Sequence, residues 1–196
     1  MITYKEGCKL ISVCTCNGKS IFKLLGTKDY SVNCSIRYKN NNAIEKCNQI
    51  ETMGKRILIT GGAGYIGSHT VVELMQQGHN VVIVDNLSNS TIEVLEGIEA
   101  ITNTKPCFEN LDCNDYVGME RLFNSYPDID AVIHFAASKA VGESVEKPLL
   151  YYRNNIGSLV VLLELMNAHG VHNIVFSSSC TVYGQPDEKH LPVDEN

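Results

Sequence analysis

The chain has 196 residues, enough for one ordinary domain, and its 44% hydrophobic and 19% charged content is that of a globular protein in water. A formal net charge of -6 leaves no basic footprint for nucleic acid, and no apolar run approaches the roughly 18 residues that cross a bilayer. Lys5, Glu6 and Lys9 interrupt the start, which therefore lacks the apolar centre of a signal peptide, so the eight cysteines are expected as thiols in a reducing cytosol.

The chain changes character near Met53. Residues 1–52 hold eight Lys/Arg against four Asp/Glu, five of the eight cysteines and no proline; the rest holds eight against eighteen, with all five prolines. No sustained period of 2 or 3.6 runs through the first part, and Asn40, Asn41 and Asn42 read as loop. Cys8, Cys14, Cys16, Cys34 and Cys47 lack zinc-knuckle spacing and no histidine precedes His69, so no metal site is expected. Residues 1–52 are expected to be an unstructured extension or translated upstream sequence, with Met53 opening a nucleotide-binding domain over 53–196.

From there the pattern alternates. Arg56–Thr60 is a short apolar run, followed by a glycine-rich turn and a helix to about Gln77 with Gly67, Val71, Leu74 and Gly78 on one stripe. Asn80–Asp85 reads as a buried strand, 91–101 as a weaker helix, 105–111 as a poorer strand and 115–124 as a short helix. A strand over 130–135 precedes one long helix from about Pro148, with Ile156, Leu159, Val160 and Leu163 as its apolar stripe; Asn173–Ser177 is a fifth strand. Strands alternating with helices predict an α/β fold, a doubly wound parallel sheet in the order 3-2-1-4-5.

Gly61, Gly64 and Gly67 fall where the first strand turns into the first helix, which is the context a glycine-rich dinucleotide turn requires. Glycine lets the backbone approach a pyrophosphate, whose charge meets the free N–H groups of the helix start; Gly67 is expected to let helix and sheet pack closely. Asp85, ending the second strand about 20 residues on, suits both ribose hydroxyls of an adenosine and repels a 2′-phosphate, which favours NAD over NADP. Asp112 reads either as a helix N-cap or as a contact to adenine.

Further stretches are more specific: GGAGYIGSH from Gly61, DNLSNS from Asp85, HFAASKAVGESV from His134, PLLYYRNN from Pro148 and FSSSCTVYG from Phe176. Over residues 54–196 the chain resembles the UDP-galactose 4-epimerases of the extended short-chain dehydrogenase/reductase families, with their Rossmann-like fold. The resemblance implies that the backbone of Tyr65 and Ile66 faces the pyrophosphate and that Asp85, Asn86, Leu87, Ser88, Asn89 and Ser90 hold the adenosine ribose. Asp112 and Cys113 would border the adenine. Phe135, Ala136, Ala137 and Lys139 would line the nicotinamide half, with Asn154 reaching in from the long helix. Ser179, beside Cys180 and Thr181, would meet the sugar 4-hydroxyl. Read without the resemblance, Lys139 is a solvated lysine and Ser179 a polar strand end.

The implied reaction interconverts UDP-galactose and UDP-glucose, NAD taking a hydride from C4 and returning it to the other face of the 4-keto sugar. Related dehydratases carry Asp-Glu after the hydroxyl residue; Cys180 and Thr181 stand there, so dehydration is disfavoured. The family's base is the tyrosine of a Tyr-x-x-x-Lys pair, and none of the nine tyrosines has a lysine four residues later. The chain is expected to be a fragment that ends before that pair and the substrate domain, and to be inactive alone; a homodimer is implied for the full-length family. Two other readings stand beside it: an NAD-binding module without chemistry, and an epimerase of another UDP-sugar such as an N-acetylated hexose.

Overall fold

Branched apolar residues in short runs build the strands, and glycine-rich or polar turns at their ends send the chain back through helices. A computed structural model describes residues 9–16, 19–24, 54–179, 182, 184 and 187. In chain order the strands are β1 (Lys9–Cys16), β2 (Lys19–Leu24), β3 (Arg56–Thr60), β4 (Asn80–Asp85), β5 (Cys107–Asn110), β6 (Ile129–His134) and β7 (Asn173–Ser177). The helices are α1 (Tyr65–Gln76), α2 (Glu93–Thr102), α3 (Tyr116–Ser125), α4 (Val141–Glu146), α5 (Pro148–Tyr151) and α6 (Ser158–Ala168), with a π-helical turn, Tyr152–Gly157, between the last two.

β5-β4-β3-β6-β7 run parallel, which is the expected order 3-2-1-4-5. Side chains alternate across the strands. Ile57, Ile59 and Ile83 face Val71 of α1 and Ile98 of α2, whereas Leu58, Val82 and Val132 face Phe123 of α3 and Leu162 and Leu165 of α6. Each of these large side chains, fully buried, contributes roughly 1.5–3 kcal/mol against the unfolded chain.

One expectation meets a different arrangement, and the reading of residues 1–52 as an extension lies mostly outside the described residues. Within residues 1–52, β1 and β2 pair antiparallel as Ile11↔Leu24 to Cys16↔Lys19, and β1 lies parallel to β7 from Lys9↔Asn173 to Val13↔Ser177. Isoleucine, valine and phenylalanine give these short runs strand propensity, and their β7 partner is remote in sequence, where no local pattern reveals it. The long helix is not continuous. The π turn adds a residue to the helical cycle, so α6 buries Ser158, Leu162, Leu165 and Met166. Ile156 and Val160, from the expected stripe, are about half exposed, while Leu159 and Leu163 pack only partly.

The first helix follows expectation more closely, burying Gly67 and Val71. At α3 the N-cap is Asp115, whose carboxylate accepts from the Gly118 N–H at 3.1 Å. Asp112 is therefore not the cap.

Candidate functional site

All five core strands point their carboxyl ends the same way, and a cleft opens there between the loops after β3, β4, β5 and β6. Its floor is the turn after β3. Gly61 has φ +70°, and a Cβ there would stand 2.7 Å from the Ala136 nitrogen. At Gly67 a Cβ would come 2.1 Å from the Gly61 carbonyl oxygen, and at Gly64 3.3 Å from the same atom. Gly67 thus serves the turn itself: what a side chain would displace is the turn's backbone rather than the sheet. Gly64 caps α1 with no side-chain hydrogen bond, so no cap side chain occupies the first-turn N–H groups of Tyr65, Ile66 and Gly67. Tyr65 is 83% exposed, and its ring lies against that of His69 with centroids 4.9 Å apart.

Asp85 ties the next loop to this turn. One carboxylate oxygen accepts from the Ala63 N–H at 3.1 Å; the other accepts from the Leu87 N–H at 2.9 Å and the Ser90 hydroxyl at 3.1 Å. Leu87 takes φ 56°, an uncommon conformation for leucine, and the loop curls back so that Asn86, Ser88, Asn89 and Ser90 line the cleft. A carboxylate offers about four acceptor sites, and three are in use, so one is left for a ligand hydroxyl.

The far wall is Asp112 and Cys113 after β5. Asp112 accepts from the Asn114 N–H at 2.8 Å, the Asn114 amide at 3.0 Å and the Asn86 amide at 3.2 Å. Partial burial pushes its carboxyl up, but those hydrogen bonds outweigh burial and hold it below the usual carboxylate range. The Cys113 thiol is pushed up to about 12 by burial, then by the charges of Asp112 and Asp85; the Thr60 hydroxyl beside it acts the other way. It is a buried wall, not a nucleophile.

After β6 come Phe135, Ala136 and Ala137 along the cleft, with Ser138 and Asn154 beside them. Lys139 lies outside this lining and is exposed, yet its charge reaches His134. Ser179 is exposed just beyond the end of β7, and its carbonyl accepts from the Val182 N–H at 3.2 Å. Cys180 and Thr181 lie outside the described residues. Asn114 and Ser158 line the cleft although no quoted motif includes them, and Ser138 lines it from within the stretch that starts at His134, where it has no expected role; the sequence signal for Asn114 is its place two residues after Asp112. Among the described residues no cluster of three His, Cys, Asp or Glu could hold a metal ion, and no helix is long and apolar enough to cross a membrane.

The residues present fit a dinucleotide. The turn has no room for Cβ atoms where phosphates would approach, the helix start presents N–H groups, and a carboxylate ends β4. The cleft encloses about 150 Å³. That is below the about 300–1,000 Å³ usual for small-molecule pockets, so a dinucleotide would extend from it across the open strand ends.

Comparison with known proteins agrees with this geometry. Residues 57–196 match the NAD dependent epimerase/dehydratase family. Human UDP-glucose 4-epimerase is 51% identical over 149 residues, 73% of this chain and 42% of that protein. A solved UDP-glucose 4-epimerase of Stenotrophomonas maltophila, with bound NAD and formylated UDP-arabinopyranose, superposes with TM-score 0.67 at 53% identity, covering 72% of this chain and 41% of that one. The Bifidobacterium longum enzyme in complex with NAD+ and UDP gives TM-score 0.68 at 49% identity, covering 72% and 42%. This chain thus spans about two-fifths of the length of these relatives. The chain belongs to the NAD dependent epimerase/dehydratase family.

Proposed function

We propose that this chain binds NAD in the cleft and is the nucleotide-binding part of a UDP-glucose 4-epimerase. The observation that carries the reading is the junction of Asp85 with the glycine turn, a carboxylate 3.1 Å from the Ala63 N–H in a chain half identical to NAD-bound epimerases. In it, Gly61, Gly64 and Gly67 admit the pyrophosphate to the N–H groups of Tyr65 and Ile66. Asp85 takes the adenosine ribose with the loop of Asn86, Leu87, Ser88, Asn89 and Ser90. Asp112 and Cys113 border the adenine. Phe135, Ala136, Ala137, Lys139 and Asn154 take the nicotinamide half. NAD bound there would accept and return the C4 hydride of a UDP-hexose such as UDP-galactose or UDP-glucose.

Ser179 stands where strand ends meet ligand and can hydrogen-bond a sugar hydroxyl, with Cys180 and Thr181 beside it. A serine is too weak a base to ionise that hydroxyl unaided. With no Tyr-x-x-x-Lys pair in the 196 residues, this reading has them bind the cofactor and turn over no sugar. A cytosolic setting for galactose metabolism is part of it. So is a homodimer, supported by the apolar side chains that α4, α5 and the π turn leave exposed, among them Val141, Val145, Leu149, Tyr152 and Ile156.

Titration of the purified chain with NAD and with NADP tests the cofactor. Saturable NAD binding, tighter than NADP, is expected; tighter NADP binding overturns the assignment. The sugar step is tested by conversion of UDP-galactose to UDP-glucose. Turnover by the 196 residues at the rate of a version extended through a Tyr-x-x-x-Lys pair would refute the division of labour.

A further inference from the structure

Asn155 is half-buried and does not line the cleft, yet its carboxamide engages the loop that does. Its Oδ1 accepts from the Ser138 N–H at 2.8 Å and its Nδ2 donates to the Ser138 carbonyl at 3.0 Å. One side chain therefore satisfies both backbone groups of one residue, as a neighbouring strand would. The first bond fixes the peptide plane between Ala137 and Ser138; the second fixes the plane between Ser138 and Lys139. Only a primary amide brings donor and acceptor together in this way: aspartate has no donor, and an aliphatic side chain has neither.

The π turn makes the arrangement possible. Consecutive residues of a helix normally point in well-separated directions. Here Asn154 and Asn155 both reach Ser138, the Asn154 amide donating to the Ser138 hydroxyl at 3.0 Å and to Asn155 Oδ1 at 3.1 Å. Asn154 Oδ1 in turn accepts from Asn114 at 3.3 Å, and Asn114 donates to Asp112. A belt of amides thus hangs the loop after β6 from the helix and continues to the opposite wall.

We infer that Asn155 is a positioning residue for the nicotinamide half of the site: by clasping the Ser138 backbone it sets the loop of Phe135 to Lys139 without touching the cofactor. The inference rests on the NAD reading above. It separates the two halves of the ligand, because Asn155 bonds the Ser138 backbone directly and meets Asp112 on the adenosine side only at third hand, through Asn154 and Asn114.

The test compares NAD with ADP on the whole 196-residue chain, wild type beside Asn155→Ala and Asn155→Asp, by calorimetric titration. Both variants are expected to bind NAD about tenfold more weakly. Both are expected to bind ADP, which carries only the adenosine half and its phosphates, within about twofold of wild type. Unchanged NAD affinity overturns the inference, and so does an equal loss of ADP and NAD, which would mark a merely structural role. Asn155→Asp, isosteric and still able to accept from the Ser138 N–H, decides the question if the alanine variant does not fold. Wild-type protein that binds ADP but gains nothing from the nicotinamide half overturns this inference alone. Wild-type protein that binds neither overturns the cofactor reading and this inference with it.

Discussion

Thr60 and His134, the last residues of adjacent strands, are joined through their side chains: the hydroxyl of one lies 2.7 Å from Nδ1 of the other, and both are buried. The imidazole also stacks on Phe176 of β7, with ring centroids 5.9 Å apart. Three strand ends beneath the cleft are thus held by one neutral ring.

This ring gives the protein an acid sensitivity. Burial, and secondly the Lys139 charge, lower His134 from 6.5 to about 4. Protonation is easier in the unfolded chain, so the native state has its full stability above about pH 6.5 and loses it as pH falls toward 4. The loss over that window is about 3 kcal/mol. Urea midpoints between pH 7 and 4 should fall more steeply in wild type than in His134→Gln. Equal slopes would mean that the ring takes up its proton without cost.

The glycines give a matched pair of variants. Gly67→Ala sets a methyl against the Gly61 carbonyl, where backbone must move, and should cost about 1–3 kcal/mol and most of the NAD affinity. Gly78→Ala meets nothing within 4 Å but keeps φ +84°, so it should cost about 1–2 kcal/mol of stability and leave NAD binding alone. Melting curves with NAD titrations check both. Equal binding losses would show that the turn responds to stability rather than to space.

Asp85 holds its own loop as well as the proposed ribose. Asp85→Asn keeps one acceptor oxygen and removes the charge that repels a 2′-phosphate. NAD binding should weaken by about 1–3 kcal/mol while NADP binding weakens less. The ratio of the two dissociation constants is the measurement, and an unchanged ratio would remove Asp85 from cofactor choice.

Cysteine labelling separates wall from surface. With its thiol held at about 12 and its side chain buried, Cys113 should resist iodoacetamide at pH 8 in the native protein. Exposed Cys107 should react, and Cys113 only after unfolding. Peptide mapping by mass spectrometry decides. Rapid native labelling of Cys113 would mean that the wall after β5 opens.

The sequence pattern alone makes the first 52 residues dispensable, but β1 pairs along β7 from Lys9↔Asn173 to Val13↔Ser177. Deleting them leaves the β7 edge bare, and unpaired edges recruit other chains. The shortened protein should melt lower or self-associate. An unchanged melt of a monomer would show that the hairpin contributes nothing.

The core strands were legible because β3, β4 and β7 are branched apolar runs ended by turn residues, and all three keep the bounds that their sequences suggest. The glycine turn and Asp85 were legible because their spacing is the chemistry. What escaped is non-local. Asn155 stands out in sequence only as part of a motif, since nothing there says that its amide meets Ser138. The β1–β2 hairpin escaped because its partner strand comes late in the chain. Ile156 and Val160 lie off the buried face because the π turn gives this helix two periods, which no single sequence period reveals.

That double period makes the segment from Pro148 to Ala168 behave like a gear with one extra tooth. Amides upstream and apolar side chains downstream are each in phase with what they engage, but not with one another. Substitutions along it are felt one at a time. Losing a single residue from Tyr152–Gly157 would turn one end by about 100° against the other. Either Asn154 and Asn155 would swing away from Ser138, or Leu162 and Leu165 would leave the core. Frame length is therefore a stricter constraint here than residue identity, and natural variants of this segment should differ by replacement and not by insertion or deletion.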